Sequence, residues 1–413
     1  MDLNFTDEQR LLAQSVERFV AQRYDYAARA RILAGPERFS GEVWSAMAGF
    51  GWLALPQAER DGGLGGSTVD AAIVAEGLGR GLVLEPYLSC AVLAAGLVGA
   101  LGGPAQRAAW LGPIAEGRAR LALAHAEPAA GMLDGARATR AARDGEGWRL
   151  DGVKTLVVDG PGADAWLVSA RDAGGAARLF IVPRGGAGVD EQPFEMIDGR
   201  LGGRLAFDGV RVPDAARLGA GGASGASGAS GASGVDGADG VGRVDGAEVA
   251  DTADVGDALA AAIDRAAAVA CAEAVGCMQA AFETTVAYSK TRVQFGQPIG
   301  ANQVLKHRMV DMATQCDEAR SMALRAALYC DGTEFSAAER ARAVSGACLK
   351  IARGARFVAE SAIQLHGAMG MTEELGIGAY LKRLMAFECW PATTSEHLAR
   401  CIATRAAAAA ATI

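Results

Sequence analysis

The spacing of hydrophobic residues divides the chain into helical ends and a strand-rich middle. Near the N-terminus, Thr6 and Gln9 match a capping box, in which two side chains satisfy free main-chain donors at a helix start. Leu12, Val16 and Phe19 follow at helical spacing. Further helices are predicted at residues 41–50, 69–79, 88–101 and 105–116. Residues 1–120 are therefore predicted to form a helical domain.

The pattern changes at about residue 121, where short β-prone runs are separated by Gly, Asp and Pro. These runs lie at residues 148–152, 166–170, 179–182 and 205–212. Short strands with turn residues between them are typical of hairpins. Residues 121–217 are therefore predicted to form a small antiparallel β domain.

A Gly-Ala-Ser repeat followed by Asp-Gly clusters occupies residues 218–256. This segment has almost no large apolar residue to bury, so we expect a disordered insertion. A regulatory or docking loop is the functional alternative.

The helical period returns at residue 257 and continues to the end of the chain. Long helices are predicted at residues 257–291, 303–330, 337–366 and 393–411. Short connections between long helices favour an antiparallel bundle, so residues 257–413 are predicted to form a four-helix bundle. The predicted fold class is mainly α with one β domain.

Composition and charge narrow the possible partners. The 413-residue chain has a net charge of −8, which argues against nucleic acid as a main partner. None of its eight cysteines forms a Cys-x-x-Cys motif, which favours buried thiols in a reducing compartment. The N-terminus lacks the features of a signal peptide, and the longest apolar run, residues 90–103, is too short to span a bilayer. We therefore expect a soluble cytoplasmic protein.

The most informative stretch connects the first two long helices. It contains Arg292, Gln294 and Phe295, and the next helix starts at Gln303. An arginine can make bidentate contacts to a diphosphate, a phenylalanine offers a stacking face, and a helix N-terminus favours an anion. This pattern indicates a site for a planar, anionic ligand. The alternative is that Arg292 pairs with a carboxylate and Phe295 fills the core.

A second candidate segment ends the third long helix. It consists of Gln364, Leu365, His366, Gly367 and Ala368. Its glycine permits a left-handed backbone and close approach of a ligand, while Gln364 and His366 supply polar groups. On its own, this segment could also be an ordinary helix C-cap.

Together these segments closely resemble the acyl-CoA dehydrogenase family. The resemblance covers the chain except for the insertion, and it includes Glu127-Pro128, Lys154, Ile197-Asp198-Gly199 and the run from Phe207 to Pro213. It implies a helical N-terminal domain, a β-barrel-like middle domain and a C-terminal four-helix bundle, assembled as dimers or tetramers. It also implies FAD, an acyl-CoA substrate and an electron-transfer flavoprotein as electron acceptor.

The resemblance also implies roles for individual residues. Arg292, Gln294, Phe295 and Gln303 match positions that hold the dinucleotide of a partner subunit's FAD, and residues 364–368 match a segment that meets its ADP part. In the family reaction a carboxylate removes the α proton of the thioester, and the β hydrogen leaves as hydride to the flavin.

The chain departs from the family at the catalytic base. The usual glutamate position falls at Pro391, or at Ala392 if the alignment slips by one residue. The remaining candidates for a base are Glu388, one turn away, and Asp264 on the first bundle helix. Asp264 and Arg265 could also form an ordinary exposed ion pair.

The middle domain departs from the family where the flavin ring normally packs. The family's Thr-Glu-Pro-x-x-Gly-Ser-Asp motif appears here as the run from Ala126 to Asp134, in which two hydroxyls are lost, and its Trp-Ile-Thr appears as Leu-Val-Val at residues 156–158. The chain is thus most similar to the small, base-lacking subunit of heteromeric acyl-CoA dehydrogenases such as pimeloyl-CoA dehydrogenase. We therefore predict a subunit that completes the FAD site of a base-bearing partner. The alternatives are a self-sufficient homomer using Asp264 or Glu388, and a non-catalytic structural or CoA-binding member of the fold.

Overall fold

The computed structural model describes residues 5–134, 138–219 and 254–410, with side chains described as far as residue 406. Most of the predicted insertion, residues 220–253, lies outside the described residues. The described chain forms an N-terminal group of helices, a β-sheet and a C-terminal group of long helices. This confirms the predicted fold class of a mainly helical protein with one β domain.

Among the described residues, six α-helices make up the N-terminal part. They are α1 (Asp7–Arg23), α2 (Tyr26–Ala34), α3 (Gly41–Gly49), α4 (Thr68–Arg80), α5 (Ala95–Leu101) and α6 (Pro104–Ala115), with a π-helical stretch at Tyr87–Ala94 before α5. The predicted capping box is confirmed: Gln9 N donates to Thr6 Oγ1 at 3.2 Å, and Thr6 N donates to Gln9 Oε1 at 3.1 Å. The hydrophobic period does not predict α2, because that helix is built mostly of Ala and Arg.

One eight-stranded sheet forms the middle part, in the order β6-β7-β3-β2-β4-β5-β8 with β1 beside β4. The strands are β1 (Leu121–Ala124), β2 (Arg140–Asp144), β3 (Gly147–Val158), β4 (Ala165–Arg171), β5 (Ala177–Pro183), β6 (Val189–Glu195), β7 (Leu201–Pro213) and β8 (Arg217–Leu218). Most strand pairs are antiparallel, as predicted, but β1 and β2 both pair with β4 in parallel, so the sheet is mixed. β3 runs antiparallel to β2, and β4 then runs in the same direction as β2.

Four long helices and one shorter helix form the C-terminal part. They are α7 (Val255–Thr291), α8 (Gln303–Asp331), α9 (Ala337–His366), α10 (Ile377–Phe387) and α11 (Thr394–Ala410). The alanine-rich α7 packs against α4, α8, α9 and α10. The predicted bounds of α9 are confirmed, whereas α10 is not predicted.

Two glycines allow α4 and α7 to pack closely together. A Cβ at Gly276 would lie 1.9 Å from Glu76 O, and a Cβ at Gly79 would lie 2.1 Å from Glu273 O. Any side chain would force these main chains apart, so both positions require glycine. This contact fixes the N-terminal part against the bundle.

Arg383 joins the three parts of the molecule. Its side chain is 2% exposed and pairs with Asp198 of the β6–β7 turn at 2.8 Å and with Glu273 of α7 at 2.5 Å. It also donates to Val83 O of the N-terminal part at 3.0 Å. A buried guanidinium is costly to desolvate unless such partners surround it, so the three parts must meet in one arrangement.

Within the described ranges, no helix combines the length and apolarity needed to cross a bilayer.

We expect Arg383→Leu to lower the free energy of unfolding by about 3–5 kcal/mol, because it removes the cation paired with Glu273 and leaves the buried Asp198 with Arg200 alone. Arg356→Leu is the matched control. Arg356 is 52% exposed, so the loss of its ion pair with Glu388 should cost at most about 1 kcal/mol. Urea denaturation followed by circular dichroism measures both. Equal losses would show that Arg383 does not join the three parts.

Candidate functional site

The stretch between α7 and α8 forms a small exposed hairpin. Its strands, β9 (Val293–Gln294) and β10 (Gln297–Pro298), pair antiparallel. The turn contains Phe295 at φ +55° and Gly296 at φ +80°, a left-handed conformation that is unusual for a phenylalanine. The Phe295 side chain is 98% exposed, so the alternative in which it fills the core is wrong.

The polar residues of the hairpin also face solvent. Arg292, Gln294 and Gln303 are all exposed, and Gln303 is the first residue of α8. In the described part of the chain, no carboxylate pairs with Arg292, so the alternative of an ion pair has no support. An exposed guanidinium, two amides and an aromatic ring therefore project from one end of the bundle.

The second predicted segment divides into exposed and buried residues. Gln364, Gly367 and Ala368 are exposed, whereas Leu365 and His366 are buried. The His366 ring stacks on Tyr288 of α7, with ring centroids 4.3 Å apart and an interplanar angle of 25°. Burial lowers the pKa of His366, which favours its neutral form.

This stacking places the two segments at the same end of the bundle. Tyr288 lies four residues before Arg292, and Arg292 N donates to Tyr288 O at 2.8 Å. Sequence reasoning did not identify Tyr288. The available signal is an aromatic residue one helical turn before Arg292, the residue that follows α7.

The position that the resemblance assigns to the catalytic base is buried. Trp390, Pro391 and Ala392 are all buried between α10 and α11. Glu388 lies nearby, but Arg356 donates to both of its carboxylate oxygens, at 3.0 and 2.6 Å. Glu388 is thus held in a bidentate ion pair with Arg356.

Asp264 lies inside the bundle and contacts two arginines. Its side chain is 1% exposed and pairs with Arg400 at 2.6 Å and with Arg340 at 3.3 Å. The prediction of an exposed pair with Arg265 is wrong, since Arg265 donates to Pro56 O at 3.3 Å. Adjacent residues on a helix point in different directions, which is why Asp264 and Arg265 find different partners.

A loop of the middle domain lies against the start of α11. Leu133 N donates to Glu396 Oε1 at 2.9 Å, and a Cβ at Gly131 would lie 2.1 Å from the same oxygen. Met132 is 4% exposed. The resemblance places the reactive ring of FAD at this loop, but here the loop and Glu396 are in direct contact.

A buried ion pair holds the base of the same loop. Lys154 Nζ donates to Glu127 Oε1 at 2.8 Å and to Ser169 Oγ at 3.1 Å, and Lys154 is fully buried. Burial alone would raise the pKa of Glu127, but the hydrogen bond from Lys154 and main-chain donors lower it to about 2. Glu127 is thus a structural carboxylate that stays ionised.

One open cleft and three small inner cavities share lining residues between the surface and Trp390. An open cleft of about 570 Å³ is lined in part by Arg120 and Gly162. These residues also line a cavity of about 30 Å³ that touches Asp159 and Arg200. Arg200 lines two further cavities of about 20 and 10 Å³, the smaller of which touches Trp390. Each inner cavity has room for one or two waters, whereas ligand pockets usually measure roughly 300–1,000 Å³.

Comparisons with known proteins agree with this architecture. Residues 6–118 match the model of the N-terminal domain of acyl-CoA dehydrogenases, and residues 257–407 match the model of the C-terminal domain. The chain belongs to the acyl-CoA dehydrogenase family, a family of oxidoreductases.

One relative and two solved structures match along almost the whole chain. The probable acyl-CoA dehydrogenase YngJ of Bacillus subtilis is 27% identical, over 95% of this chain and 97% of its own. The solved ChsE4–ChsE5 complex from Mycobacterium tuberculosis superposes with a TM-score of 0.81 at 24% identity, covering 97% of both chains. The FAD complex of PigA superposes with a TM-score of 0.80 at 21% identity, covering 97% of this chain and 98% of its own.

We expect Asp264→Asn to lower the free energy of unfolding by about 3 kcal/mol, because it removes the charge that Arg340 and Arg400 share inside the bundle. Glu388→Gln should cost at most about 1 kcal/mol, because its arginine is half exposed. Urea denaturation measures the free energy of unfolding of both variants and so tests the buried environment of Asp264 against the partly exposed one of Glu388. A stable Asp264→Asn protein would contradict the structural role of Asp264.

Proposed function

We propose that this chain is a subunit of a FAD-dependent acyl-CoA dehydrogenase and that it completes the FAD site of a base-bearing partner. The observation that carries the proposal is a contrast in exposure. The hairpin presents Arg292, Gln294 and Phe295 to solvent, whereas the base position is occupied by the buried Pro391. The residues that would hold the dinucleotide are available, and those that would act on an acyl group are not.

The exposed residues fit the ADP end of FAD. Arg292 would bind the diphosphate through charge-assisted hydrogen bonds, and Phe295 would offer its ring to a planar base. Gln294 and Gln303 would donate from their amides, the latter beside the N-terminus of α8. On the other side, Gln364, Gly367 and Ala368 are exposed for close contact, whereas the buried His366 side chain is not.

The ring end of FAD does not fit this chain. The loop that would receive the ring contacts Glu396, and the cavity beside Trp390 measures about 10 Å³. We therefore infer that the reactive ring lies in another chain, whose carboxylate removes the α proton. Bound there, FAD would supply the hydride acceptor for the β hydrogen, and an electron-transfer flavoprotein would take up the electrons.

The self-sufficient homomer has less support. It needs Asp264 or Glu388 as a base, and each carboxylate is already paired with at least one arginine. A general base must also reach the proton that it abstracts. A buried carboxylate between Arg340 and Arg400 does not meet that requirement.

A non-catalytic, CoA-binding member of the fold is the second candidate. The open cleft of about 570 Å³ supports it, because Arg120 and Arg184 line that cleft and could contact phosphates. The interior stays closed to an acyl group under this function as well.

We place the protein in the cytoplasm, because all eight cysteines are unpaired and a reducing compartment keeps them so.

We expect the purified chain to be colourless alone and to form a yellow complex with an acyl-CoA dehydrogenase chain that carries the catalytic glutamate. Acyl-CoA thioesters should bleach the flavin of the complex only, because only the complex contains a base. Absorbance spectra measure both properties. Yellow protein that bleaches without a partner would overturn the proposal, and CoA binding without flavin in either preparation would favour the non-catalytic function.

We expect Arg292→Ala to weaken flavin retention about ten- to hundredfold, the range for a lost hydrogen bond to a charged group. Arg342→Ala is the matched control, because Arg342 is also exposed but lies near the start of α9, at the other end of that helix from residues 364–368. Flavin fluorescence after dilution measures retention. Equal retention by both variants would remove Arg292 from the FAD site.

A further inference from the structure

We propose that Tyr288 and His366 are a positioning pair that holds the hairpin and the end of α9 in one fixed arrangement. The inference rests on the proposed function, because these two segments are the ones assigned to the ADP part of FAD. Neither ring needs to touch the cofactor. The pair acts through the residues that follow each ring in the chain.

The two rings are fixed by contacts on both sides. They stack with centroids 4.3 Å apart and an interplanar angle of 25°. His366 Nδ1 lies 2.8 Å from Ala362 O, one turn earlier in α9, which fixes the orientation of the imidazole. Tyr288 OH is 3.5 Å from His366 O, so the hydroxyl adds a long contact to the main chain. The stacked rings therefore connect the last turn of α7 to the last turn of α9.

The position of Tyr288 determines where the hairpin begins. Arg292 N donates to Tyr288 O at 2.8 Å, and Thr291 Oγ1 donates to the same oxygen at 3.2 Å. The carbonyl of Tyr288 thus receives the hydrogen bonds that end α7. Any displacement of Tyr288 is transmitted directly to the main chain of Arg292.

The hairpin has few other buried anchors. Residues 290–298 are all exposed. Ile299 N donates to Arg292 O at 2.8 Å, which closes the hairpin on itself, and Gly300 packs on Ser289. Segments with little buried surface open easily on their own. The stacked pair is the aromatic contact that joins the base of the hairpin to α9.

On the α9 side, His366 is followed at once by the exposed part of the segment. Gly367 has φ +60° and turns the chain out of the helix, and Ala368 comes next. Burial lowers the pKa of His366 and favours the neutral ring, which can stack without the cost of burying a charge. The ring therefore fixes the point at which the exposed residues leave the helix.

The test uses a second stacked pair in the same protein as its control. Tyr329 stacks on Phe335 with centroids 3.9 Å apart and an angle of 11°. It lies about 39 Å from the start of α8 along that helix, at 1.5 Å per residue. Tyr288 lies in the last turn of α7, shortly before α8 begins, whereas Tyr329 lies near the end of α8. Tyr288→Leu and Tyr329→Leu thus remove equivalent stacks near opposite ends of α8. Tyr288→Phe keeps the ring and removes only the long hydroxyl contact.

Two measurements are made on each purified full-length variant. Hydrogen exchange followed by mass spectrometry reports on residues 292–299 without flavin, and fluorescence titration with FAD reports on affinity in the complex with the partner chain. We expect Tyr288→Leu to speed exchange in the hairpin and to weaken FAD binding about three- to tenfold, the value of an aromatic pair. Tyr329→Leu and Tyr288→Phe should match the wild type in both.

The outcomes separate the positioning role from the proposed function. Unchanged hairpin exchange in Tyr288→Leu, or an equal change in Tyr329→Leu, would overturn the positioning pair. Faster exchange with unchanged FAD affinity would support the pair as an anchor and overturn the role of the hairpin in the FAD site. A wild-type-like Tyr288→Phe protein supports ring stacking, and a defect as large as that of Tyr288→Leu would contradict it.

Discussion

The burial of one charge, that of Arg383, determines how the parts of this molecule meet. A guanidinium that is 2% exposed must be neutralised and hydrogen-bonded where it lies. Its partners come from the β6–β7 turn, from α7 and from the segment after α4. The sheet and the two helical groups can therefore satisfy this charge in only one relative arrangement. The close contact at Gly79 and Gly276 adds a steric constraint to the electrostatic one.

The same arrangement closes the interior of the protein. Arg383 and Glu273 line the cavity of about 10 Å³ beside Trp390, so their ion pair helps to close the interior. The interior of the protein is thus closed to a ligand, whereas one end of the bundle is exposed to solvent. The bundle ends in a hairpin whose aromatic ring is 98% exposed, in a chain whose large apolar residues are mostly buried. An exposed phenylalanine beside an exposed arginine and two exposed amides can contact both the planar and the charged parts of a ligand.

Local sequence patterns predicted the elements much better than the contacts between them. The period of hydrophobic residues predicted the bounds of α9, and the Thr6–Gln9 motif predicted a capping box, because both depend on residues close in sequence. The partners of Asp264 lie 76 and 136 residues away, so an exposed pair with Arg265 was the local expectation. The burial of His366 likewise depends on Tyr288 in another helix. No periodicity contains that information.

The closed loop also bears on whether the partner is a second copy of this chain. In a homodimer, each hairpin would reach an identical chain in which Leu133 N is bonded to Glu396 and Gly131 is packed against the same carboxylate. That chain would offer little space for the reactive ring, and it carries a proline in place of the base. Arg292 would then bind the diphosphate of a cofactor whose other end has no site. A different chain, with an open loop and a free carboxylate, meets both requirements, and we therefore propose a heteromer.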